Sequence, residues 1–384
     1  MVDTRHRPRI VVLGGGVGGT LTANLLARRL GTRAQVTLVD RTGLHIYQPS
    51  FLYAAFRPLP TRSLGRDLRS LLRRDIRLVV DEVTTIDPAS RTAGLRHGQN
   101  LEYDFLVIAL GSQLAPERIP GLAEGSHNFY SLAGAQRLHT ALHEFSGGTV
   151  LVGVAGIPYK CPPAPIEFTF LLDDYLRRRG LRSATTIRFL SPLNRAFTIA
   201  SASRMIEPIF EERRIELHTF VNVAAVDPEK HIVTTLEDET YDYDLAVIVP
   251  PHTTPAVLRN AGLTDGDWVP VDRQTLAVRG QENVYAIGDC TDLPISKAGS
   301  TAHFEARVVA ERITAAVEQR PVDPTRGTYH GKVMCFLETG GGKATYLVFD
   351  YDHEPRPPQP SRIWHLGKAV LNQAYWVTVP QGRL

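Results

Sequence analysis

The sequence predicts an α/β protein with two Rossmann-like dinucleotide-binding domains followed by a small C-terminal α+β region. Three observations carry this. A glycine-rich strand-to-helix turn starts at Gly14, a segment repeats 140 positions further on, and a buried strand at residues 149–152 opens the second copy. At 384 residues, 43% hydrophobic and 22% charged, the chain can bury two or three separate cores. The expected boundaries are 1–115 with 275–320 for the first domain, 116–274 for the second, and 321–384 for the C-terminal region.

Composition removes several classes. Lys+Arg 43 against Asp+Glu 40 leaves a net charge of +3, without the dominant basic field a nucleic-acid binder relies on. Three cysteines do not make a disulfide scaffold, and no apolar run approaches the roughly 20 residues of a membrane span. Arg5, Arg7 and Arg9 precede an apolar run as in an export signal, but that run passes into glycines with no cleavage-like site, so a cytoplasmic chain is expected.

The run from Ile10 to Leu13 carries no charge, as in a parallel strand covered on both faces. Gly14-x-Gly16-x-x-Gly19 follows, then a helical pattern (Leu21, Leu25, Leu26, Leu30), a second strand from Val36 to Val39, and Asp40. Gly14 permits the tight turn, Gly16 and Gly18 keep the loop slender against a pyrophosphate, and Gly19 lets helix and strand pack closely. The helix N-terminus faces the negative charge, and Asp40 accepts from a ribose.

The repeat sets Asp87-Pro88 and Tyr103-Asp104 against Asp227-Pro228 and Tyr243-Asp244, each pair 140 apart. Each copy reads as an alternating hairpin and a buried strand, the first leading to Gly111. After the strand at 149–152 the second copy departs. Ala155 and Pro158 stand where the second and third glycines belong, and Leu190 is followed by Ser191-Pro192 with no acid. A proline offers no amide to a phosphate, so nicotinamide chemistry is expected to be lost here. Further on, Gly288-Asp289 ends a buried strand and aims a carboxylate and an amide at a dinucleotide.

In place of the second phosphate loop stands Cys161. It precedes Pro162-Pro163 and a helix expected from Ala164 to Arg179, with Glu167 in the first turn. A thiol at a helix N-terminus beside Lys160 is expected to have a lowered pKa; an inert buried cysteine is the competing reading. Cys335 lies in an apolar strand-like run and reads as core or as a redox partner, and Cys290 as a small apolar residue.

The chain resembles sulfide:quinone oxidoreductases and the flavoprotein subunit of flavocytochrome c sulfide dehydrogenase. The resemblance rests on the Gly14 turn, His45-Ile46-Tyr47-Gln48-Pro49, Lys160 to Glu167, Gly288-Asp289, Lys297, Cys335-Phe336 and Trp364 to Lys368. It implies domains of FAD/NAD(P) type, glutathione-reductase-like, with FAD held by Gly14, Gly16, Gly18, Gly19, Asp40, Pro49, Gly111, Gly288 and Asp289. It also implies that Cys161 and Cys335 face each other as a disulfide or sulfur-bridged pair. Hydrosulfide would open that bridge, Cys335 would pass two electrons to FAD, Glu167 would accept a proton and Lys297 would supply positive charge. The sequence departs from the family in two places. No cysteine occurs at His127–Tyr130, and none near Tyr47-Gln48-Pro49 to attach the flavin, so FAD is expected to be non-covalent.

In the tail, Ile363, Trp364, Leu366, Val370, Leu371, Tyr375 and Trp376 form an amphipathic pattern. It reads as a monotopic membrane-surface anchor opening onto a quinone, or as a capping helix or dimer contact. Phe336, Tyr346 and Phe349 are candidates to line the quinone pocket; no metal site is expected, and a homo-oligomer is compatible with the pattern. Three other readings stay open: a subunit handing electrons to a cytochrome, a type II NADH:quinone oxidoreductase, and a persulfide carrier or redox sensor that does not turn over.

Overall fold

The computed structural model describes residues 7–383; Arg5 lies outside them. Strand β1 (Arg9–Leu13) is followed by helix α1 (Val17–Leu30), β2 (Gln35–Asp40), β3 (Arg77–Val80) and β4 (Phe105–Ile108). The second half contains β5 (Gly148–Val154), α2 (Ala164–Arg178), β6 (Thr185–Leu190), β7 (Ile215–His218) and β8 (Leu245–Val249). Strand β9 (Val284–Ala286), α3 (Gly299–Val317), β10 (Val333–Gly340), β11 (Lys343–Phe349) and α4 (Arg362–Thr378) complete the elements used below.

Among the described residues two parallel sheets form, in the orders β9-β4-β1-β2-β3 and β7-β6-β5-β8. The uncharged runs of β1, β4 and β8 are buried at almost every position, as strands covered on both faces must be. The repeat is visible in the structure. Strands 83–87, 92–95 and 100–102 form one antiparallel sheet, and 223–227, 232–235 and 240–242 form another. Strand β9 returns to the first sheet beside β4, so the chain leaves the first domain and re-enters it.

Packing differs from the expected division in one stretch. Leu258, Leu263, Val269, Val271, Leu276 and Val278 lie in the first core although they fall largely within 116–274. The chain therefore rejoins the first domain earlier than sequence pattern suggests, because this apolar stretch packs with β4 and β9. The C-terminal hairpin instead gives Val333, Leu337, Leu347 and Phe349 to the core of the second domain.

A polar clamp fixes that hairpin to α2. Arg213 donates to Asp173 at 2.8 Å and Asp174 at 2.9 Å, Arg182 donates to Asp173 at 2.5 Å, and the Gly341 amide donates to Asp174 at 2.6 Å. Asp174 thus fastens the helix that follows Cys161 to the turn of the hairpin that carries Cys335, and buried Asp173, joined also by Arg177, holds the Arg213 that both carboxylates share. Replacing Asp173 with alanine leaves partly buried guanidinium groups uncompensated. The expected loss is roughly 3 kcal/mol of unfolding free energy, read by denaturant titration.

Candidate active site

The first glycine turn has the geometry a dinucleotide needs. Gly14 sits at φ +101°, where a Cβ would lie 2.4 Å from the Ala109 carbonyl oxygen, and a Cβ on Gly19 would lie 1.9 Å from that of Gly14. A Cβ on Gly16 would meet nothing within 4 Å among the described residues, and the same holds for Gly111 at φ +67°. The loop is thus closed toward the protein and open toward a ligand at the N-terminus of α1. Gly18 packs on Ile287. Asp40 spends most of its acceptors internally. Its Oδ1 takes Thr42 N, Thr42 Oγ1 and Gly43 N at 2.8–3.0 Å, and its Oδ2 takes Gly15 N at 2.9 Å. Its capacity for a ribose lies on Oδ2. Gly288 (φ +75°) donates its amide to Glu305 at 2.6 Å. Glu305 Oε1 and Ser112 Oγ are buried without a hydrogen-bond partner among the described residues, which fits a polar cofactor alongside. Pro49 is exposed at the start of a short helix, Ser50–Ala54.

In the second copy, residues 155–163 separate β5 from α2, where three glycines join β1 to α1 in the first. Cys161 lies in this longer loop at φ +52°, its amide donating to the Lys297 carbonyl at 2.6 Å and its carbonyl accepting from Tyr130 Oη at 3.3 Å. Cys335, on β10, packs against the same apolar cluster as Cys161, and charge on Cys335 raises the pKa of Cys161. Two cysteines from distant parts of the chain therefore border one apolar core, near enough for charge on one to act on the other. Cys290 is wholly buried in the first core, as expected of a small apolar residue.

The expectation of a lowered Cys161 pKa is overturned. Burial pushes this thiol well up, Cys335 and Glu167 push it further, and Lys368 offsets only part. Burial likewise takes Cys335 up to about 12. Pro162 and Pro163 remove amides that would otherwise stabilise a thiolate, and Lys160 is so buried that its own pKa is lowered.

Glu167 is 4% exposed and does not stand free as a base. It accepts from the Lys368 ammonium and from the Glu338 amide, the latter at 2.7 Å, while burial raises its pKa. Glu338 in turn accepts from Tyr53 Oη at 3.1 Å and pairs with His365 at 2.9 Å. Lys297 is buried, not a solvated loop lysine. Its ammonium donates to the Thr291 carbonyl at 2.6 Å and lies 3.6 Å from the centre of the Trp268 ring.

The three aromatic candidates are not brought together. Strand alternation puts Cys335 and Phe349 on one face of the hairpin, toward the core, and Phe336 and Tyr346 on the other. Tyr346 meets Trp364 of α4 at 4.6 Å, whereas Phe349 lines a separate cavity of about 530 Å³ with Tyr159, Pro162 and Lys297. Helix α4 serves both competing readings. Tyr375 and Trp376 cap Tyr47 and Leu71, while Ile363, Leu366, Val370 and Val377 are exposed. No helix among the described residues is long and apolar enough to cross a membrane, and no cluster there could hold a metal ion.

Sequence reasoning missed Glu338 and His252, and treated Tyr130, His45, His365 and Lys368 only as members of longer motifs. The only lysine in the amphipathic helix Arg362–Thr378 was the available signal for Lys368. Buried histidines carry none.

Residues 8–319 match the pyridine nucleotide-disulphide oxidoreductase family, and the chain belongs to it. Within that class it is similar to the mitochondrial sulfide:quinone oxidoreductase of Mus musculus, 29% identical over 91% of this chain and 80% of that one. It is also similar to the sulfide-quinone reductase of Aquifex aeolicus, 27% identical over 81% of this chain and 77% of that one. The X-ray structure of the Aquifex aeolicus sulfide:quinone oxidoreductase superposes with a TM-score of 0.88 at 24% identity, covering 98% of this chain and 92% of that one.

Two measurements check the electrostatics. At pH 8, iodoacetamide is expected to label Cys161 and Cys335 of the reduced protein at least about a hundredfold more slowly than a cysteine in an unstructured peptide, by mass spectrometry. A comparable rate at Cys161 would mean that the helix end governs that thiol after all. Burial also takes His45 down to about 4 and His252 down to about 3, from 6.5. Below pH 6.5 the unfolded chain binds protons that the folded chain refuses, so stability falls as pH drops. The slope between pH 6.5 and 4 is about 1.4 kcal/mol per unit for each histidine, and His252→Gln should reduce it in denaturant titrations at pH 7, 6 and 5.

Proposed function

We propose that this chain oxidises sulfide to sulfane sulfur or polysulfide and passes the electrons to a membrane quinone, using a non-covalently held FAD. The observation that carries the proposal is that Cys161, from a displaced phosphate loop, and Cys335, from the C-terminal hairpin, border one apolar core and sense each other's charge. The relatives named sulfide:quinone oxidoreductase support the same reading.

In this chemistry hydrosulfide attacks the sulfur bridge between the two cysteines. One S–S bond forms to the incoming sulfur and the old one breaks, leaving its electron pair on the departing thiolate. Cys335 is assigned as the electron-donating thiolate. FAD, when bound, supplies the two-electron acceptor. The net reaction turns hydrogen sulfide and quinone into sulfane sulfur and quinol, so the two protons and two electrons lost by sulfide equal those gained by quinone. Glu167 holds the proton taken from sulfide, with Lys368 beside it to compensate its carboxylate. Buried Lys297 places positive charge near the flavin, and Gly14, Gly16, Gly18, Gly19, Asp40, Pro49, Gly111, Gly288 and Asp289 hold the dinucleotide.

The quinone is assigned to the side of the hairpin that faces α4, beside Phe336 and Tyr346; Phe349 is left out because it faces the other way. Exposed Ile363, Leu366, Val370 and Val377 let α4 lie in a membrane surface, on the cytoplasmic side.

The test is anaerobic bleaching of the flavin absorbance. Sulfide should bleach it, NADH should not, and a short-chain quinone should then restore it. Cys161→Ser and Cys335→Ser should each slow sulfide bleaching at least about 10³-fold with flavin still bound. Bleaching by NADH alone, or full rates in either serine variant, would overturn the proposal. Bleaching that quinone fails to reverse would favour the cytochrome-donating or sensor readings.

A further inference from the structure

His45 belongs to no step above, yet it is wholly buried, on the short strand Leu44–Ile46. Its Nδ1 lies 2.8 Å from the Gly15 carbonyl oxygen and 3.1 Å from Thr20 Oγ1, and its Nε2 lies 2.7 Å from Tyr375 Oη. A carbonyl only accepts, so Nδ1 carries the proton and donates to Gly15, and Nε2 accepts from the tyrosine hydroxyl. Gly15 is the middle residue of the glycine turn. Its amide is held by Asp40 at 2.9 Å and its carbonyl by His45 and Thr20. One end of the imidazole therefore fixes the peptide that faces the dinucleotide, and the other end is fixed by α4.

The contact is not isolated. Asn24 of α1 donates to the Pro380 carbonyl at 2.8 Å, Tyr47 Oη donates to Asn372 at 2.5 Å, and Arg66 lies over Trp376 at 4.9 Å. Residues 372–382 thus grip both the glycine turn and the helix that rises from it.

We infer that His45 is a positioning residue through which α4 holds the dinucleotide loop, so that flavin retention and docking of α4 form one coupled equilibrium. This rests on the FAD reading above. Coupling is reciprocal: whatever draws α4 off the protein loosens the flavin, and flavin loading firms α4. Since the outer face of α4 is the proposed membrane face, the flavin-loaded chain is the one that presents an ordered helix to a membrane.

The experiment compares the full-length holoprotein with Tyr375→Phe, His45→Asn and Gln373→Ala, the last an exposed position on α4. Phenylalanine keeps the ring packing and removes only the hydroxyl. Asparagine reproduces the Nδ1 donor and drops the tyrosine contact. Both are expected to weaken FAD binding by about five- to tenfold, read as fluorescence of released flavin, with Gln373→Ala unchanged. In a second readout, protease should cut within 362–378 at least fivefold faster after flavin is stripped from the unsubstituted protein, and Tyr375→Phe should abolish most of that difference. Equal flavin release from Tyr375→Phe and the unsubstituted protein, or a cutting rate indifferent to flavin, overturns the inference. A chain that takes up no flavin would instead sink the FAD reading, so the two failures are distinguishable.

Discussion

A lysine ammonium buried between two carboxylates holds the site together. Lys368 is 8% exposed, bonded to Glu167 and 3.9 Å from Glu338. A charge this far from water persists only when paired, and removing one partner leaves the other uncompensated. The three residues lie on α4, α2 and β10: the helix with the exposed apolar face, the element after Cys161, and the strand with Cys335. Satisfying one buried cation therefore fixes the relative placement of the sulfur pair and the surface helix. The Arg213 clamp repeats the device three residues further on, where the Gly341 amide meets Asp174, so the turn end of β10 is held against α2 at two points.

The duplicated scaffold explains why the sulfur pair sits where it does. In the first copy three glycines bring a helix N-terminus directly to the end of β1. In the second copy residues 155–163 intervene, two prolines precede the helix, and the Cys161 amide is spent on the Lys297 carbonyl. The crevice at the strand ends, where open α/β sheets bind ligands, is kept in both copies. Only the loop after the strand has changed, from three glycines that suit a phosphate to a longer segment carrying a thiol packed against the second core.

The sequence revealed what is periodic or local, and concealed what is long-range. The glycine turn, the offset of 140, the extent of α2 to within a residue and the fate of Cys290 were all readable, because each depends on backbone geometry or on a repeated pattern. The thiol pKa was misjudged because proximity to a helix N-terminus is a local cue while burial is a tertiary one, and burial dominates here. Grouping Phe349 with Phe336 and Tyr346 failed on strand parity, since positions 346 and 349 point to opposite faces once the register is fixed. The roles of Glu338, His365 and His45 rest on partners between 27 and 330 positions away, which no window of sequence joins.

Raised thiol pKa values bear on the proposed chemistry in a direction opposite to the sequence expectation, yet they suit it. A cysteine with a lowered pKa is stabilised as a thiolate and is a mild nucleophile and a poor electron donor. A thiolate released into an apolar pocket is poorly solvated, so it is driven either to reform a sulfur bridge or to give its electrons to an adjacent acceptor. The pocket thus disfavours resting as a free thiolate. Lys368 does not stabilise the sulfur strongly, because Glu167 has already claimed its charge. What the ion pair provides instead is a carboxylate whose proton affinity, raised by burial, is offset in part by a cation on α4, so the proposed proton handling beside the cysteines depends on the same helix that docks against the dinucleotide domain.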